Sequence, residues 1–116
     1  MFSLNLPILI KPFEKDLATI LQKYLVAKLF VFGSILTEKF DNLKSDIDFL
    51  VEFDETNLKP EDIGDLCLNL SNDLEQLFKR KVDVLRNRPF RNYYFEQSLN
   101  RTKLLIYDRK RTEIPA

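Results

Sequence analysis

Apolar residues along this chain follow two periods, and the changes between them divide it into elements. Phe13, Leu17, Ile20, Leu21, Tyr24 and Leu25 recur at spacings of three and four, with Pro12 at a first helical position and Glu14 in the first turn. That spacing predicts an amphipathic helix over about residues 12–25. Leu29-Phe30-Val31-Phe32 is a short β-favouring run stopped by Gly33-Ser34, as expected of a buried strand feeding a tight turn. Residues 35–45 hold no sustained period and are expected to form a short helical turn and a loop. From Asp46 to Phe53 the pattern alternates: Ile47, Phe49, Val51 and Phe53 share one face, and Asp46, Asp48, Leu50 and Glu52 the other.

Pro60, followed by Glu61 and Asp62, opens the longest helix, whose stripe is Ile63, Leu66, Cys67, Leu70, Leu74, Leu77 and Phe78. Lys79-Arg80-Lys81 suit the negative end of that helix's dipole. Val82-Asp83-Val84-Leu85 predicts a third strand, residues 91–101 a short helix, and Leu104 to Tyr107 a last strand. No repeat or linker interrupts the order, so residues 1–116 are expected to be a single domain. The apolar stretch from Met1 to Ile10 lacks a basic start and a cleavage site, and no run reaches the ~20 apolar residues of a membrane span, so a cytoplasmic location without membrane contact is expected.

Composition narrows the chemistry. There is no histidine, one cysteine (Cys67) and two glycines (Gly33 and Gly64). Histidine-based nucleophile systems and the HExxH zinc site are excluded, as are the glycine-rich Rossmann and Walker loops. Cys67 falls in the apolar stripe and is expected to be a core residue. Any catalysis must run on carboxylates, lysine or hydroxyls. The formal net charge is zero, yet residues 37–78 carry 12 acids and 3 bases, whereas residues 79–116 carry 11 bases and 4 acids. An acidic middle could hold cations and a basic tail could meet phosphates or an acidic partner, although solvated faces would give the same count. The tail's bases interleave with Phe90, Tyr93, Tyr94 and Phe95, types suited to a protein interface, and no binding of duplex DNA is expected.

Chemistry-bearing residues sit at the ends of three expected strands: Gly33-Ser34, the pair Asp46 and Asp48, and Asp83. Alternate residues on a strand share a face with Cα atoms roughly 6.5 to 7 Å apart, so Asp46 and Asp48 can converge on two divalent cations, Mg²⁺ or Mn²⁺ by the hardness of the donors. Asp83 joins them if its strand lies beside theirs. Gly33 lets the backbone turn sharply, and the amides and Ser34 hydroxyl beyond it can hold phosphate oxygens. Each feature alone is also what an ordinary turn or a solvated strand end looks like. Together they describe metal-assisted attack of a hydroxyl on a nucleotide α-phosphate, with Asp83 nearest the attacking hydroxyl.

On these residues the sequence resembles the minimal nucleotidyltransferases of the DNA polymerase beta-like superfamily, found in prokaryotic toxin-antitoxin pairs. Phe32-Gly33-Ser34 is similar to the family's glycine-serine motif, Ser45-Asp46-Ile47-Asp48 to its paired carboxylates, and Val82-Asp83-Val84-Leu85 to its third acidic strand. Arg91-Asn92-Tyr93-Tyr94-Phe95 and Leu105-Ile106-Tyr107 look like its usual ending. The resemblance implies an α+β fold, a nucleotidyltransferase-like mixed sheet of three to four strands with flanking helices. It also implies ATP as substrate, and an antitoxin that pairs with a HEPN-domain ribonuclease toxin and silences it by transferring AMP to a toxin tyrosine. Many relatives continue with an Arg-rich, Gly-containing stretch where this chain reads Ile35-Leu36-Thr37-Glu38-Lys39-Phe40, with Lys39 as its one cation. Two alternatives stay open: an antitoxin acting by stoichiometric binding alone, and a small-molecule nucleotidyltransferase, which at this length would need a partner to wall its acceptor.

Overall fold

A computed structural model describes residues 2–3, 6–41 and 44–110. A single 3₁₀ turn, Lys11–Phe13, leads into helix α1, Glu14–Lys23, and then strand β1, Val26–Phe32. The 3₁₀ turn Gly33–Leu36 and a loop precede β2, Ile47–Phe53; α2, Pro60–Phe78, leads to β3, Val82–Arg86; α3, Tyr93–Thr102, leads to β4, Leu104–Asp108. The strands form one mixed sheet in the order β3-β2-β1-β4. β1 runs antiparallel to β2 and β4, while β2 and β3 are parallel and joined across α2, as a parallel pair requires a long crossover. The α+β mixed sheet expected from the sequence is therefore present, with four strands.

Two boundaries differ from expectation for local reasons. α1 ends at Lys23 rather than residue 25 because Leu25 takes a left-handed backbone (φ 59°) that turns the chain into β1. β1 starts at Val26, three residues early, because a bulge between Val26 and Lys28 breaks the apolar run without breaking the pairing.

Sheet alternation sorts the side chains. Leu29, Val31, Ile47, Phe49 and Val51 are fully buried on one face, against Leu17 and Leu21 of α1 and Leu70, Leu74 and Phe78 of α2. Phe78 stacks 6.1 Å from Phe49 and meets Phe13 edge-on at 5.3 Å. The amino-terminal apolar stretch joins this core: Leu6 and Ile10 are buried in it, and Ser3 donates from its amide to the Ile106 carbonyl at 2.9 Å. Cys67 is half-buried against it, and burial pushes its thiol up from the ordinary value, in keeping with a core role. Among the described residues no helix is long and apolar enough to cross a membrane.

The opposite face carries Phe30 and Phe32 from β1, Asp48, Leu50 and Glu52 from β2, and Asp83 and Leu85 from β3. Leu50 and Leu99 of α3 are buried yet stand outside the main core, so this face has a small apolar patch of its own. Truncating the main core at a fully buried point should be expensive. Leu74→Ala is expected to lower stability by about 3 kcal/mol, read as a reduced urea midpoint with an unchanged slope.

Candidate active site

Asp48 pairs with Phe32 across β1 and with Asp83 across β3, so one register position brings the β1 end, the first acid and the third acid side by side. The β2–β3 adjacency needed for Asp83 to join the group is present. Immediately after Phe32, Gly33 has φ +76°, a conformation that side chains rarely adopt. A Cβ there would overlap the Asp48 carboxylate oxygen Oδ2. Gly33 is thus needed twice, for the left-handed backbone and for the room it leaves to the acid.

Beyond Gly33 the Ser34 carbonyl accepts from the Thr37 amide and the Thr37 hydroxyl, both at 2.9 Å, which closes the 3₁₀ turn. Among the described residues the Ser34 hydroxyl has no hydrogen-bond partner, and Ser34 is only partly buried. It stays available to a ligand at the carboxylate end of the sheet.

Burial, the Asp83 charge, a hydrogen bond with Asp83 and, last, the Asp46 charge push the Asp48 carboxyl up to about 6. Asp46 precedes the strand and is turned partly toward Lys81, whose Nζ lies 4.0 Å from Asp46 Oδ2. The three acids are therefore unequal: Asp48 and Asp83 are a coupled pair, and Asp46 acts on it from the side. Among the described residues no three His, Cys, Asp or Glu side chains form a ready-made cage. The donor chemistry nonetheless fits a hard divalent cation, because a cation between adjacent carboxylates relieves the repulsion of their charges.

Sequence reasoning missed Arg80, assigned above to the end of α2. The carboxyl end of that helix is capped by Lys79 in a left-handed conformation (φ 54°), and Arg80 follows it beyond the helix. Its Nη1 donates to the Ser45 carbonyl at 3.1 Å, and its guanidinium lies 5.4 Å from the centre of the Phe40 ring. Arg80 thereby pins the loop between the Gly33 turn and β2, next to Asp46. The loop also ties itself: the Asp41 amide donates to Ser45 Oγ at 2.8 Å, and the Ser45 amide to the Asp41 carbonyl at 2.9 Å. No sequence period links residues 35 positions apart, so only the Arg type could have signalled it.

The sequence matches the family described as "Polymerase beta, Nucleotidyltransferase" over residues 15–112. Comparison with curated proteins found no significant match. Among solved structures, the fold is similar to a chain of a toxin-antitoxin crystal structure with AMP-PNP, with a TM-score of 0.59 and 19% identity over 84% of this chain and 74% of that one. It is similar too to a chain of the tri-AMPylated Shewanella oneidensis HEPN toxin in complex with MNT antitoxin (TM-score 0.56, 17% identity, 84% and 71% covered). A further Shewanella oneidensis structure gives 0.55 and 18% over 87% and 71%. At these identities the likeness is one of fold.

Two outcomes test the geometry. Gly33→Ala should cost about 2 kcal/mol or more in chemical denaturation, since the backbone strain and the overlap with Asp48 add. Because the folded Asp48 pKa is raised, the stability linked to its proton is fully present below the ordinary value of 3.8 and is lost as pH rises through about 6. Asp48→Asn, which has no charge to acquire, should therefore melt a few degrees above the wild-type chain at pH 8 without divalent cations, a modest gain because solvent screens this partly exposed group. The difference should vanish by about pH 4.

Proposed function

The chain belongs to the polymerase beta nucleotidyltransferase family, and from that membership we propose that it transfers AMP from ATP to a hydroxyl, a tyrosine's, of a HEPN-domain toxin and so neutralises it. The observation that carries the proposal is the Asp48–Asp83 register pair set against the Gly33 turn. The substrate and partner are drawn from the similar folds, one crystallised with AMP-PNP and one with a tri-AMPylated HEPN toxin.

In this scheme the backbone amides after Gly33 and the Ser34 hydroxyl bind phosphate oxygens, donating to negative charge at the start of a helical turn. Asp46, Asp48 and Asp83 would hold one or two Mg²⁺ or Mn²⁺ ions, which supply charge neutralisation at the phosphates and make the attacking hydroxyl more acidic. Asp83 stands, exposed, on the edge strand β3, open to a macromolecular acceptor. As the acceptor oxygen forms its bond to the α-phosphorus, the bond to the bridging oxygen breaks and pyrophosphate leaves with that electron pair. The hydroxyl proton passes to the Asp83 carboxylate, the local base in a chain without histidine.

A second function, neutralisation by stoichiometric binding, is favoured by the surface of α3, where Tyr93 and Tyr94 are 67% and 83% exposed beside Arg91. Aromatic and arginine side chains in such a cluster suit a protein interface.

Intact mass of the HEPN partner after incubation with ATP and Mg²⁺ should show a gain of one or more adenylyl groups. Asp83→Asn should slow that gain by roughly 10²- to 10⁴-fold while ATP affinity changes little. A variant carrying both Asp46→Asn and Asp48→Asn should lose neutralisation; full neutralisation by it would leave binding as the mechanism.

A further inference from the structure

The acid-bearing face needs a cation for the outer phosphates, and the stretch after Gly33 offers only Lys39. The geometry points to Lys103, far away in sequence, as the residue that binds the outer phosphates of the nucleotide. This inference rests on the nucleotidyltransferase function proposed above and adds to it a residue that no motif identifies.

α3 leaves the β3 edge of the sheet and ends where β4 begins, with Leu104 beside Val31 and Leu105 beside Phe30. Its end therefore reaches the part of β1 that runs into Gly33. Lys103 caps that end, and its Nζ lies 4.8 Å from the centre of the Phe30 ring. Phe30 shares its face with Phe32, the register partner of Asp48, one two-residue step of roughly 6.5 to 7 Å further along the strand. The ammonium thus stands over the site-bearing face, on the strand next to the one that carries Asp48.

Its charge is also uncommitted. Nζ donates to Asn100 Oδ1 at 3.1 Å, a neutral tether that aims the group, and among the described residues no carboxylate pairs with it. The other cations near the acids are engaged: Lys81 faces Asp46, and Arg80 holds Ser45 and Phe40. An ammonium resting on an aromatic ring, with two of its three donors left over, is a ready partner for phosphate oxygens.

Calorimetric titration of the full chain with ATP, ADP and AMP, each with Mg²⁺, tests this. Lys103→Met should weaken ATP roughly 10- to 100-fold while AMP changes less than about threefold, so that the preference for ATP over AMP collapses. Lys103→Arg, which keeps the charge and the ring contact, should restore most of it. ATP binding left unchanged by Lys103→Met, or ATP and AMP weakened equally, would overturn the assignment alone. Failure of the wild-type chain to bind ATP with Mg²⁺ would overturn the nucleotidyltransferase function and this assignment with it.

Discussion

Like charge held at close quarters is the constraint on which the arrangement of this protein turns. Asp48, half-buried, and Asp83, exposed, occupy one register position on adjacent parallel strands, where the charge of Asp83 bears directly on Asp48. Nothing in folding alone favours that placement, since burial and mutual repulsion both raise the cost of ionising Asp48. The cost is tolerable because the sheet beneath is fixed from its other side. Ile47 and Phe49 flank Asp48 in sequence, point the opposite way, and are fully buried against α1 and α2. The site is strained electrostatically and held mechanically by the same three residues.

Around that pair the fold divides its work by face. One face of the sheet supplies stability through a continuous apolar core, and the other carries the clustered acids, with its own small patch at Leu50 and Leu99. Gly33 joins the two halves, ending a buried strand and at the same step making room for a carboxylate. Arg80 does similar service for the loop that delivers Asp46, using one hydrogen bond and one ring contact.

Much of this was legible in the sequence, and the limits are physical. Alternation from Ile47 to Phe53 and the 3–4 spacing in α2 report burial directly, so elements and faces could be assigned from them. The side-by-side placement of Asp48 and Asp83 could be stated only as a condition, because periodicity gives a strand's faces and is silent about its neighbours. The early start of β1 was hidden by Lys28, a polar residue on the outward face beyond a bulge. Leu25 and Lys79 hold left-handed turns without glycine, so neither turn carried its usual residue signal. Arg80 and Lys103 were unreadable for a further reason: a long basic side chain reaches across the fold, and its sequence neighbours do not say where.

The alternation of β2 also bears on how reliably the sheet assembles. In a strand a slip of one residue exchanges the two faces completely. Here such a slip would drive Asp48 and Glu52 into the space filled by Phe49 and Val51, and would place those apolar groups in water. Misregistered pairings are therefore disfavoured by the very carboxylates that cluster on that face. The acids act as a proofreading mark for folding, and a chain that has mispaired its central strand has no low-energy place in which to rest.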